Sequence, residues 1–316
     1  MFSRRTLVAA AAALGLFGAL GSASADELKE VRIGFQKAGI FPAVKARGTL
    51  ENVLKAKGLT VKWVEFQFGP PLLEALNTGN IDFGFTGDTP PIFAQAASAN
   101  LLYVAALPAS GRNEAIVVPK DSPIRTIADL KGKRIAIAKG SSAHNTALAT
   151  LAKAGLSLSD ITPVYLAPAD AVAAFTNDKV DAWSIWDPYL ALFENKGTRV
   201  VTFAGDVHTT SAFFLANRAF TDAHPELVAV LNQTFARESQ WASQHRTEIA
   251  KSLNEATGVD LAALEKAIDR SNFVIMPVTD EVVANQQAIA DRFFKLGLVP
   301  KHLNMRDIVW KWTPNS

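Results

Sequence analysis

Two stretches of the chain look like the same structural unit written twice, about 100 residues apart. Residues 28–37 (LKEVRIGFQK) align with residues 130–139 (LKGKRIAIAK), and residues 80–88 (NIDFGFTGD) align with residues 179–187 (KVDAWSIWD). In each copy a short apolar run ends at a small or polar residue, and a segment of helical character follows, which is typical of a βαβ unit. The duplication therefore predicts two similar α/β lobes. The cleft between them would be lined by strand ends and helix N-termini, which suits anion capture without catalysis.

The N-terminal residues 1–25 have the composition of an export signal. Arg4 and Arg5 precede a continuous apolar run from Leu7 to Leu20, and an A-x-A cleavage site ends at Ala25. The run of 14 residues is shorter than the roughly 20 needed for a membrane-spanning helix. We therefore predict a Sec or twin-arginine signal cleaved after Ala25, and a mature protein outside the cytoplasm.

Charge and cysteine content exclude several classes of function. The chain has 32 Lys and Arg against 30 Asp and Glu, and two of the basic residues lie in the signal, so the mature chain is neutral. It has no basic stripe with interleaved aromatic residues, which argues against nucleic-acid binding. The lack of cysteine excludes disulfides, thiolate metal sites and cysteine nucleophiles. The five histidines show no metal-ligand spacing, so no metal or other cofactor is predicted.

The order of apolar runs divides the mature chain into two lobes. Lobe 1 is predicted to comprise residues 26–112 and 212–316, and lobe 2 residues 113–211. The short apolar run Ala115 to Val118 is interpreted as the crossing into lobe 2, and residues 211–217 as a strand that runs back. The lobes would then have two connections.

Helix signals follow several of the predicted strands. One helix is predicted over residues 43–57, and another begins with Pro90 at its first position and Thr89 as its cap. From Pro225 onward apolar residues recur at three-to-four spacing, which predicts C-terminal helices that complete lobe 1.

Four junctions between a strand and the following helix carry residues suited to holding a ligand. They are Gln36; Gly87, Asp88 and Thr89; Ser141, Ser142 and His144 within residues 141–145; and Trp186 with Asp187. The first N–H groups of a helix have no partner within it, and the helix dipole favours negative charge there. Ligands of doubly wound sheets bind outside the carboxyl ends of the strands. We therefore expect an oxyanion at these junctions, with Arg112 near the first crossing as a candidate positive partner.

Each of these residues also has an ordinary structural explanation. The alternatives are a helix cap for Thr89, Asp187, Ser141 or Ser142, a solvent-facing strand end for Gln36, a core position for Trp186 and a solvated loop for Arg112. Asp88 and Asp187 would repel an oxyanion unless they cap helices or meet a donor group of the ligand. The joint placement of the residues, not any one of them, favours a binding site.

Several segments also carry a family resemblance. They are residues 32–37 (RIGFQK), 85–91 (FTGDTPP), 92–97 (IFAQAA), 139–145 (KGSSAHN), 168–171 (PADA), 180–189 (VDAWSIWDPY) and 298–301 (LVPK). From Val31 to Pro314 the chain resembles the periplasmic aliphatic-sulfonate-binding proteins of ABC importers. The resemblance implies an α/β protein with the two-lobed type II periplasmic-binding-protein fold, in which each lobe is a mixed sheet flanked by helices and two crossings connect the lobes.

The resemblance also implies a function and a set of binding residues. A monomeric periplasmic receptor would close on an alkanesulfonate and deliver it to a membrane permease and its ATPase. The family's binding positions fall on Gln36, Gly87 to Thr89, Ser141, Ser142, Trp186 and Asp187, and the resemblance extends to Arg112 and His144. Sister families bind taurine, nitrate or pyrimidine precursors of thiamine, and desulfinases and pyrimidine synthases share the scaffold. Those enzymes rely on cysteine, so an enzyme is the weaker alternative.

Overall fold

The computed structural model describes residues 28–314, and the predicted export signal lies outside the described residues. The strands are β1 (Glu30–Phe35), β2 (Thr60–Glu65), β3 (Phe83–Gly87), β4 (Leu101–Pro108), β5 (Glu114–Val118), β6 (Arg134–Ile137), β7 (Thr162–Tyr165), β8 (Ala182–Trp186), β9 (Arg199–Phe203) and β10 (Ser211–Asn217). The α-helices are α1 (Phe41–Arg47), α2 (Thr49–Lys55), α3 (Gly69–Asn77), α4 (Thr89–Ala96), α5 (Ser142–Lys153), α6 (Pro168–Thr176), α7 (Tyr189–Asn195), α8 (Arg218–Ala223), α9 (Pro225–Gln244), α10 (Arg246–Thr257), α11 (Leu261–Arg270) and α12 (Asp280–Lys295). Among these described helices, none combines the length and the apolar character that a membrane span requires.

Two five-stranded sheets organise the described chain. Their strand orders are β2-β1-β3-β10-β4 and β7-β6-β8-β5-β9. In each sheet three strands on one side pair in parallel, and one antiparallel strand lies between the third and the last. Helices flank both sheets. The predicted fold class, two mixed sheets flanked by helices and joined by two crossings, is confirmed.

The two crossings lie side by side. One runs from the end of β4 to the start of β5, and the other from the end of β9 to the start of β10. The N–H of Gly205 donates to the carbonyl of Gly111 at 2.9 Å, and the N–H of Ala109 donates to the carbonyl of Thr210 at 3.2 Å. Paired crossings of this kind are where a hinge between two lobes would act. The lobe boundaries at 112/113 and 211/212 stay a prediction.

Two local predictions were wrong. The helix predicted over residues 43–57 is split into α1 and α2, because Gly48 has a φ of 64°, a left-handed conformation that ends a helix and that glycine adopts readily. The run Ala115 to Val118, interpreted as a crossing, belongs to strand β5 and pairs with β8 and β9. Both faces of β5 are covered, which explains why its apolar residues follow each other without alternation.

The C-terminal helices pack on the sheet that contains β1 to β4 and β10, as their apolar spacing predicts. Phe235 of α9 stacks on Phe41 of α1, with ring centroids 4.1 Å apart, inside the core that covers this sheet. The other sheet has one apolar cluster on each face. Trp183 belongs to one cluster and Ile116 to the other. Both sheets are therefore rigid platforms whose strand ends can hold side chains in fixed positions.

Candidate functional site

A cavity of about 150 Å³ lies between the two sheets, at the carboxyl ends of the strands. Seven of the ten predicted site residues line it: Gln36, Gly87, Asp88, Ser141, Ser142, Trp186 and Asp187. The two lobes meet closely at this point, because a Cβ atom added to Gly87 would lie 2.9 Å from the Cβ of Ser142. The junctions predicted from separate parts of the sequence thus converge on one cavity.

Helix α5 provides the best hydrogen-bond donors of the cavity. Ser141 stands at its N-cap position, but no side chain caps the first turn. The Ser141 hydroxyl donates instead to the carbonyl of Ala138 at 2.6 Å. The N–H of His144 donates to the carbonyl of Ser141 at 3.0 Å. The first two N–H groups of this twelve-residue helix, those of Ser142 and Ala143, are therefore left for a ligand, and the helix dipole favours an anion there.

Helix α4, on the opposite lobe, offers fewer donors than predicted. It begins at Thr89, with Asp88 in the N-cap position, so Thr89 is not the cap and Pro90 is the second helical residue. Pro90 and Pro91 have no N–H. The Thr89 hydroxyl donates to Asp88 Oδ1 at 2.7 Å, and the backbone N–H of Thr89 also bonds to the Asp88 carboxyl. The hydrogen-bond donors for an anion are therefore distributed unequally between the lobes.

Gln36 supplies a donor from the lobe that contains α4. Its side chain is 8 % exposed, and Nε2 donates to the carbonyl of Phe85 at 2.9 Å. This bond fixes the amide at the end of β1 and uses one of its two N–H hydrogens. The other hydrogen can bind a ligand oxygen.

Three buried carboxyl groups line the cavity, which is unexpected beside an anion. Burial raises the pKa of Asp88, against the opposing effects of His208, Thr89 and Asn145. Burial, with a smaller contribution from the charge of Asp88, raises the pKa of Glu114 to about 7. Burial also raises the pKa of Asp187 to about 7, although Arg270 opposes it. Because a buried carboxyl group favours its neutral form, these residues repel an anion less than their sequence suggests.

Asp187 joins the cavity to the helix that follows it. Its Oδ1 accepts the N–H of Ala191 in α7 at 3.0 Å, although Pro188 and not Asp187 occupies the N-cap position of this helix. Its Oδ2 is buried without a hydrogen-bond partner, and the nearest cation is Arg270 Nη1 at 3.9 Å. A ligand that carries a donor group would satisfy this oxygen.

A polar network lies behind the cavity wall. Asn145 Nδ2 donates to Asp88 Oδ2 at 3.5 Å, and Arg292 donates to Asn145 Oδ1. His208 Nε2 lies 2.9 Å from the Thr146 hydroxyl, which donates to Glu114. The network joins α4, α5 and α12 to both crossings, so the cavity is coupled to the segments where the lobes connect.

Three predicted site residues do not line the cavity. The Thr89 hydroxyl is buried and bound to Asp88. The Arg112 side chain is 58 % exposed, with its guanidinium 4.6 Å from the centre of the Phe203 ring and 3.9 Å from Asp206. His144 is fully buried between the rings of Tyr165 and Phe293, and burial lowers its pKa to about 4. A neutral histidine in such a position contributes to packing between the lobes.

The cavity also has an apolar wall. Ile40, Pro42, Phe85 and Leu107 belong to it. Helices α10 and α11, with the segment after them, add Leu253, Leu264, Ala267, Ile268 and Phe273. The cavity thus combines hydrogen-bond donors with an apolar wall, which suits a ligand with an oxygen-rich head and a hydrocarbon tail.

Glu114, Arg270 and the wall formed by α10 and α11 were not predicted from the sequence. Glu114 could have been found as a carboxyl group at the start of an otherwise apolar strand. The wall had no signal beyond an amphipathic pattern, which also fits ordinary core packing. Within residues 28–314 no cluster of three or more His, Asp or Glu side chains could hold a metal ion.

Comparisons with known proteins identify the family. Residues 52–249 match the family model described as NMT1/THI5 like. A curated aliphatic sulfonates-binding protein of Escherichia coli (strain K12) is 42 % identical over 286 residues, which cover 90 % of this chain and 89 % of that protein. The structure of the alkanesulfonate-binding protein SsuA from Xanthomonas axonopodis pv. citri bound to MOPS has a TM-score of 0.85 and 42 % identity, covering 90 % of this chain and 99 % of that one.

A more distant likeness has a different function. The desulfurization enzyme DSZB is 16 % identical, with a TM-score of 0.65, and covers 90 % of this chain and 96 % of that one. This likeness is one of fold alone. The two relatives at 42 % identity match this chain over nearly their whole length, and this is decisive. The chain belongs to the family of aliphatic-sulfonate-binding proteins.

Proposed function

We propose that this protein is a solute-binding protein that captures an aliphatic sulfonate in the cavity between its lobes and delivers it to an ABC permease and its ATPase for sulfur acquisition. The observation that carries the proposal is the mixed lining of the cavity. It combines donors at the start of α5 and at Gln36 with an apolar wall. The relatives named for sulfonate binding support the same ligand class.

The chemistry of the head group explains the arrangement of donors. A sulfonate is a monoanion at neutral pH, with three acceptor oxygens and no donor. It therefore suits the N–H groups at the start of α5, the hydroxyl of Ser142 and the amide of Gln36, whereas the Ser141 hydroxyl already donates its one hydrogen to the carbonyl of Ala138. Trp186 and the apolar wall would cover the tail. Gly87 contributes by letting the lobes approach.

The proposal includes a location and a division of the chain. The signal would be cleaved after Ala25, and the mature protein would act as a monomer in the periplasm. Lobe 1 would comprise residues 26–112 and 212–316, lobe 2 residues 113–211, and the paired crossings would act as the hinge.

Calorimetry with the mature protein tests the ligand class. We expect ethanesulfonate to bind more tightly than taurine, nitrate, sulfate or phosphate, in buffers that contain no sulfonate. The Gln36→Ala/Ser142→Ala variant should bind ethanesulfonate at least about a hundredfold more weakly, because each lost hydrogen bond to a charged group costs about 1.5–3 kcal/mol. The control Ser159→Ala/Gln240→Ala, at exposed positions, should bind like the wild type. Tightest binding of phosphate or nitrate would contradict the sulfonate assignment.

An assay for released sulfite separates binding from catalysis. We propose that the protein is not an enzyme, and we expect no sulfite after incubation with an alkanesulfonate, with or without a reduced flavin. Sustained release of sulfite above a heat-denatured control would instead place this chain among the enzymes that share its fold.

A further inference from the structure

Glu114 is a buried carboxyl group that the proposed function does not yet use. It begins β5, directly after the first crossing, and lines the cavity with only 6 % of its surface exposed. The Thr146 hydroxyl donates to its Oε1. Ser142, one turn earlier in α5, lines the same cavity and lies close enough to the carboxyl group to lower its pKa as a hydrogen-bond donor. Ser142 therefore lies beside Glu114 and also beside the position where the head group is expected to bind.

The number of hydrogens at Ser142 limits what this arrangement can do. A serine hydroxyl has one hydrogen to donate. When Glu114 is ionised, it can only accept, so this hydrogen points to the carboxylate. A sulfonate also only accepts. The hydroxyl therefore cannot serve the sulfonate and an ionised Glu114 at the same time, whereas a protonated Glu114 can donate to Ser142 Oγ and leave the hydroxyl hydrogen for the anion.

The surroundings of Glu114 favour protonation of its carboxylate. The titratable and charged groups on the elements around it are Asp88 beside α4, His144 on α5, Asp187 after β8, His208 in the second crossing and Arg292 on α12. Asp88 is buried, and its negative charge opposes ionisation of Glu114. Arg292 bonds to Asn145 and His208 to Thr146, so neither forms an ion pair with Glu114 among the described contacts.

We propose that Glu114 takes up a proton from solvent when the sulfonate binds, and that the neutral carboxylic acid donates to Ser142, whose hydroxyl then donates to the anion. Glu114 is thus a positioning residue that acts through Ser142. The inference rests on the proposed function. It makes ligand capture proton-linked, although the ligand itself does not titrate at neutral pH.

The pH dependence follows from the carboxyl group of the free protein, whose pKa is about 7. At pH 7 the free protein has Glu114 about half protonated, so binding takes up about half a proton at this residue, and nearer to one at pH 8. An anion next to the carboxyl raises its pKa further. By linkage the affinity falls as the pH rises above 7, by up to about tenfold for each pH unit.

Calorimetry at pH 8 tests this inference, with ethanesulfonate as the ligand and Tris and bicine as two sulfonate-free buffers of different ionisation enthalpy. The apparent heat of wild-type binding should differ between the buffers by the amount expected for nearly one proton. Glu114→Gln keeps the size of the side chain and a donor for Ser142. It should lose the Glu114 part of the proton uptake and of the pH dependence between pH 7 and 9, and it should bind at pH 8 about five to ten times more tightly than the wild type.

The outcomes separate this inference from the function on which it rests. Absence of any ethanesulfonate binding would contradict the proposed function. Binding without a buffer-dependent heat, or with the same proton uptake in Glu114→Gln, would contradict the proton linkage alone. The difference between wild type and variant isolates Glu114 from any share of Asp187. Infrared difference spectra of the wild type give a second test that needs no variant, because ligand binding should increase the C=O band of a protonated carboxylic acid.

Discussion

The two halves of this molecule share one plan but divide the work of binding. In both sheets the first strand of the repeat lies between the second and the third, and an antiparallel strand from a crossing follows. The sheet with β1 also carries the C-terminal helices, whereas the sheet with β6 carries the helix N-terminus with free donors. The duplicated frame thus places the strand ends, and the sequence at each strand end decides which lobe provides the donors and which provides the apolar wall.

One ion pair is present in both copies. Arg32 lies in β1, and Arg134 begins the equivalent strand β6. Each donates through its backbone N–H and its guanidinium to the carboxylate directly before the third strand, Asp82 or Asp181. The two backbone bonds are 2.7 Å and 2.8 Å long. Only the burial differs, because the Asp82 side chain is 4 % exposed and that of Asp181 is 32 % exposed.

The largest expected effect tests this pair. Asp82→Ala removes a buried carboxylate and leaves the Arg32 guanidinium and N–H without their partner. Breaking a buried pair from one side costs about 3–5 kcal/mol, so the free energy of unfolding in urea should fall by about that amount. Asp181→Ala should cost clearly less, because water can replace the lost partner. Equal losses would show that the two copies depend on the pair to the same extent despite the difference in burial.

The second expected effect concerns the buried carboxyl group of Asp187, which follows β8, and the pH dependence of stability tests it. The pKa of Asp187 is raised from 3.8 to about 7, so the folded state holds this proton more tightly than the unfolded state. Its stabilising effect is complete below pH 3.8 and is lost as the pH rises through 7. Between pH 5 and pH 8 the loss from this group is about 2–3 kcal/mol.

Asp187→Asn should therefore flatten the fall in unfolding free energy between pH 5 and pH 8 by that amount, measured by urea unfolding at several pH values. Asp121→Asn, at an exposed position of the same lobe, is the control and should leave the slope unchanged. An unchanged slope in Asp187→Asn would mean that this carboxyl group is ionised in the folded protein well below pH 7.

Two glycines at strand-to-helix junctions in opposite halves of the molecule are needed for different reasons. Gly87 has an ordinary backbone, but an added Cβ would meet Ser142 of the other lobe. Gly140 has a φ of 76°, while an added Cβ would find its nearest neighbour at an acceptable 3.6 Å. Gly87→Ala should therefore weaken ethanesulfonate binding by about tenfold, because the added Cβ would push Ser142 away from its position in the cavity and small misplacements of binding groups are costly. It should change the Tm little.

Gly140→Ala should show the opposite pattern. A left-handed conformation costs a residue with a Cβ about 1–2 kcal/mol, so the Tm of the Gly140→Ala variant should fall. Calorimetry and thermal unfolding of the two variants give the comparison. A large drop in the Tm of Gly87→Ala with unchanged affinity would show that Gly87 serves the fold of its own lobe and not the approach of the two lobes.

Much of the fold and of the cavity could be predicted from the sequence, because both depend on local patterns. The carboxyl ends of neighbouring parallel strands meet at one edge of a sheet, so Gln36, Gly87, Ser141 and Trp186 were expected together once the strands were assigned. The aligned copies also contain the Arg and Asp of the shared ion pair at matching positions. The assignment of these residues as ligand contacts stays a prediction.

The remaining features depend on packing between distant segments. The wall formed by α10 and α11 arises because a helix pair from the end of the chain reaches the lobe that contains α7. An amphipathic pattern predicts that a helix has an apolar face, but it does not indicate which surface that face covers. The unequal supply of donors was visible in Pro90 and Pro91, but two prolines at a helix start also read as an ordinary helix signal. Three-dimensional contacts were needed to choose between the two meanings.

The contact between α11 and α7 provides the smallest expected effect. Ala263 and Ala267 of α11 pack in one apolar cluster with Ala191 of α7. At its edge Glu194 pairs with Arg270 and lies 3.2 Å from Lys266. The inner face of α11 lines the cavity, so this contact holds one part of the apolar wall against the opposite lobe. Glu194→Gln removes the charge that holds both cations.

We expect Glu194→Gln to weaken binding by about threefold to tenfold, the range of a half-buried ion pair worth roughly 1 kcal/mol. The loss should be greater for pentanesulfonate than for ethanesulfonate, because the longer tail reaches further along the wall. Asp280→Asn removes an exposed pair with Arg306 and should change neither affinity. If Glu194→Gln weakened both sulfonates equally, the contact would control the approach of the lobes as a whole. A loss confined to the longer ligand would instead assign chain-length preference to α11, one of the C-terminal helices that lie outside the duplicated unit.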